Sequence, residues 1–233
     1  MRSNRFSRRQ LLSGVAGAGG VSIAGFRLMT RGSQQFTDST RIQLGTSGDV
    51  LLEWREIYNG ATVTTPTAPS TSATPGFMDS LGNVLPGDSG SLTIRIRRDP
   101  VGDDSETALA LTMAMELVGE LQSPGLQDFI HTSVWYDTGL LGLASFGGRN
   151  GARDVGEPLV HPDAQGSLNE VATVLADGIS LDPAPHIPRS DCFMTDDAVT
   201  ITFGWSFPPE QRNVNVVQGD SVAFDFRFDA APC

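Results

Sequence analysis

Period-two alternation of apolar side chains runs through most of this chain, and it commits those stretches to half-buried β-strands. In Leu92–Arg97, Leu92, Ile94 and Ile96 face one way while Thr93, Arg95 and Arg97 face the other. Leu109, Leu111, Met113, Met115 and Leu117 alternate in the same manner. That segment is rich in helix formers, but its spacing is a strand's, and period outranks propensity. Further strands are expected at Ile42–Leu44, Val50–Ile57, Ile130–Tyr136, Val199–Phe207 and Ser221–Phe228. One helix interrupts them at Leu168–Asp177, where Ser167 can cap the start, Glu170 completes a capping box and Gly178 sits just past the end. Many short strands with turn signals between them, and one inserted helix at about 167–178, predict a mainly-β fold. The specific expectation is a single jelly-roll-like β-sandwich.

The two cysteines give a sharper expectation. Val199, Ile201, Phe203, Trp205 and Phe207 form one strand's apolar face, and Val222, Phe224, Phe226 and Phe228 the next one's. A hairpin centred between Arg212 and Asn213 pairs Phe203 with Val222, Ile201 with Phe224 and Val199 with Phe226, apolar against apolar. The same register sets Cys192 opposite Cys233, so a disulfide between them is predicted, tying the C-terminus to the start of the strand.

Charge divides the chain in two. Residues 1–32 hold six arginines and no acid, whereas residues 33–233 hold ten arginines and all 27 acids, a formal charge of −17. There is no lysine. So negative a surface repels nucleic acid and anionic lipid. Acid excess with arginine in place of lysine reads as adaptation to high salt, where the screening length falls to about 3 Å. An ordinary acidic protein from GC-rich coding is the alternative. At the N-terminus, Arg8 and Arg9 precede the apolar, glycine-rich stretch Leu11–Phe26, too short to span a bilayer comfortably. Residues 1–32 therefore read as a cleavable twin-arginine-type signal, with a Sec-type signal as the alternative, cut between Gly32 and Phe36. Location is expected to be extracellular or at the cell surface, with no membrane span after cleavage. Residues 33–45 form an N-terminal segment and 46–233 the sandwich, with a Thr/Ser/Pro-rich, uncharged loop at 61–76. Residues 147–163 form a second irregular stretch.

Motifs for chemistry are weak. Gly87-Asp88-Ser89-Gly90 matches the string around a serine-protease nucleophile, but that mechanism places its histidine before the serine, and His131, His161 and His186 all follow it. The bland reading, a Pro86-Gly87 turn into a strand, is preferred. The histidines are isolated, with no zinc-binding spacing, and His161 and His186 read as solvated loop residues. Asp99, Asp103 and Asp104, and separately Asp191, Asp196 and Asp197, have the chemistry for calcium but read as solvated acidic loops. No catalytic residue, metal or cofactor is expected.

Taken in order, several blocks resemble the TasA/camelysin-like family of secreted proteins, in its haloarchaeal branch with SipW-dependent-type signal peptides. They are the Arg8-Arg9 leader, Phe36-Thr37-Asp38-Ser39, Leu52-Glu53-Trp54 through Tyr58-Asn59-Gly60, and Leu85-Pro86-Gly87-Asp88-Ser89-Gly90. Val134-Trp135-Tyr136-Asp137, Leu175-Ala176-Asp177-Gly178-Ile179 and the terminal block from Trp205-Ser206-Phe207-Pro208 to Val217–Asp225 follow. The loop between Asn59 and Leu85 is longer than the family's, 147–163 is irregular, and residues 26–35 lack the small-residue run before cleavage. The resemblance implies a non-enzymatic subunit of extracellular filaments or biofilm matrix. It also implies that the N-terminal segment, with Phe36, Ile42 and Leu44 on one face, acts as a donor strand for a neighbouring copy. A monomeric surface module or adhesin recognising glycan or calcium is the alternative, and a camelysin-like protease a third, supported by no residue.

Overall fold

The computed structural model describes residue 36 and residues 38–43, 49–63, 69–70, 76–99, 108–187 and 191–233. The leader expected at 1–32, with Arg8 and Arg9, lies outside the described residues, as do Leu44, Asp103 and Asp104. In chain order the strands are β1 (Asp38–Gln43), β2 (Asp49–Tyr58), β3 (Ala61–Thr62), β4 (Pro69–Ser70), β5 (Gly76–Gly82), β6 (Ser89–Asp99) and β7 (Leu109–Val118). They continue with β8 (His131–Tyr136), β9 (Gln165–Ser167), β10 (Ile179–Ser180), β11 (Cys192–Phe193), β12 (Ala198–Ser206) and β13 (Ser221–Pro232). Two α-helices, α1 (Leu126–Phe129) and α2 (Leu168–Leu175), complete the set.

The strands form two antiparallel sheets. The first runs β1-β2-β6-β12-β8-β9, with β3 on β2; the second runs β10-β7-β13-β5-β4, with β11 on β7. They stack as a β-sandwich, and the alternation explains why. Leu92, Ile94 and Ile96 of β6, Leu111, Met113 and Met115 of β7, Ile201 and Phe203 of β12, and Phe224, Phe226 and Phe228 of β13 are all buried in one core. The polar half of each alternating set turns outward. Helix α2 begins as its sequence requires: the Ser167 hydroxyl accepts from the Glu170 amide, and the Glu170 carboxylate accepts from the Ser167 amide. It ends two residues earlier than expected, at Leu175.

The expected hairpin does not form. β12 pairs with β6 and β8, whereas β13 pairs with β7 and β5, so the two strands lie in different sheets. Alternation tells which residues face inward, but a phenylalanine face is satisfied as well across the sandwich as along a ladder. Phe203 packs on Phe224 and Phe226 at ring-centroid distances of 4.8 and 5.4 Å. The connection carries a 3₁₀ turn at Val214–Val217 that buries Val217, and crosses between sheets rather than folding back.

Cys192 and Cys233 are nonetheless joined by a disulfide, for a different reason. Both flank the start of β7: Cys192 lies opposite Ala110, and on the other side Pro232 lies opposite Leu109 while the Cys233 amide donates to the Ala108 carbonyl. Part of the segment expected as a loop at 61–76 is also paired, since β3 ladders onto β2 and β4 onto β5. No helix among the described residues is long and apolar enough to cross a membrane.

A disulfide that closes a loop with a sequence separation of 41 stabilises chiefly by restricting the unfolded chain, by about 2–4 kcal/mol. Replacing both Cys192 and Cys233 by Ser is expected to lower unfolding free energy in urea by that amount while leaving the far-ultraviolet dichroism of a β-protein. Two free thiols in the non-reduced native protein would contradict the pairing.

Candidate functional site

The most elaborated part of the molecule is residues 137–157, which overlaps the stretch 147–163 expected to be irregular. Directly after the apolar run of β8, Asp137 is completely buried. Its backbone extends the ladder, its amide donating to the Thr200 carbonyl and its carbonyl accepting from the Arg149 amide. Its carboxylate accepts from the Asn150 amide at 3.2 Å, the Gly151 amide at 2.9 Å and the Thr202 hydroxyl at 2.8 Å. Thr202 in turn shares a hydrogen bond with Thr93 on β6, also buried. The Arg55 guanidinium on β2 donates to the Arg149 carbonyl at 2.9 Å. The loop is thus drawn down onto the outer face of the first sheet and covers a polar layer of Arg55, Thr93, Thr202 and Asp137.

That close approach needs glycine at 151. Gly151 adopts φ +76°, and a Cβ there would stand 2.8 Å from the Ser91 hydroxyl and 3.1 Å from Ile57. A second carboxylate closes the base of the loop. Glu157 accepts from the Gly139 amide at 2.7 Å and from the Asp154 amide at 2.8 Å, bridging the two ends.

Electrostatics follow from this burial. Desolvation pushes the Asp137 carboxyl up, and the amides of Gly151, Asn150 and Arg149 with the Thr202 hydroxyl pull it back. Desolvation lowers Arg55, and the Asp137 charge opposes that shift. Arg149 is lowered by burial and then by Arg95. Glu157 is pushed up to about 7, first by desolvation, with Asp137 and Asp154 adding to it against the two amide bonds.

Outward, the clamped loop presents apolar side chains. Leu140, Leu143 and Phe146 are exposed, and Leu141 is 71% exposed with left-handed φ 53° and ψ 33°, a rare conformation for a bulky residue. Beside it opens a cleft of about 270 Å³ lined by Asp137, Thr138, Leu141, Arg149, His186 and Ile187. His186, expected to be solvated, is half-buried here and hydrogen-bonded through Nε2 to the Thr138 hydroxyl at 2.7 Å. The arrangement therefore supplies a rigid, mixed apolar and polar surface.

The residues singled out from sequence are placed elsewhere. Asp88 is a structural turn residue: its carboxylate accepts from the Tyr58 hydroxyl, the Asn59 side-chain amide and the Leu85 amide. It pins the β2–β3 turn to the start of β6. The neighbouring Ser89 amide donates to the Asn59 side chain. His161 accepts from the Asp163 amide through Nδ1. Among the described residues no group of three or more His, Cys, Asp or Glu is disposed to hold a metal ion. Phe36 is half-buried just before β1, and Ile42 lies in β1 opposite Val50 of β2. Asp137 and Glu157 were missed because buried loop carboxylates have no spacing signal. The available clue was the density of glycines between them, most with positive φ. Comparison with known families, curated proteins and solved structures finds no match to this chain.

Glu157 binds its proton more tightly folded than unfolded, so the native state holds more protons between pH 4.5 and about 7. Its contribution to stability is full below 4.5, declines as pH rises through that window and is constant above it. In Glu157→Gln, which has no ionisable group, the stability lead of wild type over variant is expected to shrink as pH rises through the window. Urea titrations at a series of pH values check this; a lead that grows with pH would contradict it.

Proposed function

We propose that the protein is a secreted, non-enzymatic structural subunit that self-associates outside the cell by exchanging its N-terminal strand. The observation that carries this reading is the position of β1. It ends the first sheet and pairs with β2 through a six-residue antiparallel register, Asp38 opposite Trp54 to Gln43 opposite Asp49. An edge strand at the start of a domain can be supplied equally well by another copy, because the same backbone hydrogen bonds re-form in the same register. The residue blocks resembling TasA/camelysin-like proteins support the same reading. So does the Cys192–Cys233 disulfide, which suits an oxidising compartment such as the cell exterior. On this view removal of the leader frees Phe36 and β1 for exchange.

A second reading, a monomeric surface module that binds a glycan or another ligand, is favoured by one feature, the clamped apolar loop around Leu141 beside its cleft.

Strand exchange predicts that the chain recovered from an exporting host sediments on ultracentrifugation as filaments. Deleting residues 36–43 should then leave a folded subunit that stays in the supernatant. Wild-type monomers at every salt concentration, with residues 36–43 protected from protease, would reject the reading.

A further inference from the structure

The two outer faces of the sandwich carry opposite charge excess. On the first sheet, Arg95 and Arg97 of β6 share a single carboxylate, Glu53 of β2, at 3.2 and 3.6 Å. Arg149 of the clamped loop stands close enough to Arg95 for the two charges to act on each other. Three of the ten arginines in residues 33–233 thus gather around Glu53, with the buried Asp137 carboxylate also acting on Arg149, and Arg97 remains 41% exposed. In a segment of formal charge −17, such a concentration of positive charge is locally against the trend.

On the second sheet the excess is reversed. Glu116 of β7 and Asp225, Arg227 and Asp229 of β13 lie on the outward side of their alternating strands, in register with one another. Arg227 is ion-paired with Glu116, which is itself 49% exposed. Asp177, just past α2, borders the same shallow cleft of about 260 Å³ together with Glu116, Arg227 and Asp229. Four carboxylates therefore surround one arginine. Asp225 is pushed up by desolvation and by Glu116, against the pull of Arg227, and Arg149 is pushed down partly by Arg95. Each face holds like charges together at a cost that a surface of opposite sign relieves.

We propose that these faces are complementary docking surfaces between copies of this chain: the Arg95/Arg97/Arg149 face of one copy seats on the Glu116/Asp177/Asp225/Asp229 face of the next. This rests on the self-association reading above and gives it a second contact. Stacked sheets turn their outer faces in opposite directions, so the contact is heterologous and head-to-tail. It does not use up both surfaces of a pair, and it extends into an open array. A second copy is the occupant because the matching acidic face is present on the same molecule. A free polyanion would instead meet the repulsion of the whole negative segment. Contact-distance pairs between two seated faces are screened by salt much less than charges apart in solution.

A charge exchange tests it in the full chain. Arg97→Glu cancels the positive excess of the first face, leaving two arginines against two carboxylates, and Asp229→Arg weakens the acidic one. Each variant alone is expected to raise the protein concentration needed for sedimentable assembly by at least about tenfold, since opposing like charges cost several kcal/mol. Mixing the two variants should give, by sedimentation velocity, a heterodimer that neither forms alone, because the intact acidic face of the Arg97→Glu chain seats on the intact basic face of the Asp229→Arg chain and the two faces left over are both altered. Heterodimer formation also shows that both variants are folded. The inference is overturned if either single variant assembles like wild type, or if the mixture forms no heterodimer while both variants keep wild-type melting curves. Charge variants that assemble normally alongside a 36–43 deletion that does not would overturn this contact and leave strand exchange standing. A wild-type chain that never assembles overturns both.

Discussion

The contact of Phe203 with Phe224 and Phe226 holds the rest of the structure in place. Those rings belong to opposite sheets, and their packing at 4.8 and 5.4 Å closes the sandwich at its centre. Phe224 and Phe226 also meet edge to face at 5.8 Å, the arrangement aromatic quadrupoles favour. With these rings as the keel, β12 can collect β6 and β8 on its two sides while β13 collects β7 and β5. The disulfide then fastens the periphery of the same assembly, since it holds β11 and the end of β13 to the start of β7.

A second, polar layer lies outside this apolar one. Sandwich faces usually turn their outward side chains to water, yet here Arg55, Thr93, Thr202 and Asp137 are buried under residues 137–157. Hydrogen bonds offset the cost of such burial, and the Asp137 carboxylate accepts three, from two amides and a hydroxyl. Glu157 serves the opposite end of the loop in the same way. The result is an irregular segment made rigid by hydrogen bonds rather than by a ladder. It also delivers Arg149 to the neighbourhood of Arg95, so the clamp contributes to the positive face.

Much of the fold was legible because apolar alternation is a direct image of a two-faced sheet. The main strands β2, β6, β7, β8, β12 and β13 sit where Val50–Ile57, Leu92–Arg97, Leu109–Leu117, Ile130–Tyr136, Val199–Phe207 and Ser221–Phe228 placed them. The helix was legible because Ser167 and Glu170 form a cap through short-range bonds. What alternation does not encode is which inward face meets which, and so β12 and β13 read as ladder partners when they are partners across the core. The cysteine pair survived that error because both cysteines end up beside β7. Strand β5 was missed since Gly76-Phe77-Met78-Asp79-Ser80-Leu81-Gly82 is short and bounded by glycines, with a weak alternation. The loop site was illegible for a different reason. The partners of Asp137 are backbone amides more than ten residues away and a threonine 65 residues on, and neither leaves a local pattern.

The proposed assembly rests on the edge position of β1. A domain whose first strand is its outermost can hand that strand to a neighbour without disturbing the phenylalanine core, the disulfide or the clamped loop. The most direct measurement places one cysteine on each side of the β1–β2 ladder, Arg41→Cys and Leu51→Cys, which are register partners. The full chain is then bridged with a short non-reducible thiol cross-linker under assembling conditions. Strand exchange predicts a ladder of covalently linked multimers on a denaturing gel. Cross-linked monomers alone, with both cysteines consumed, would contradict it.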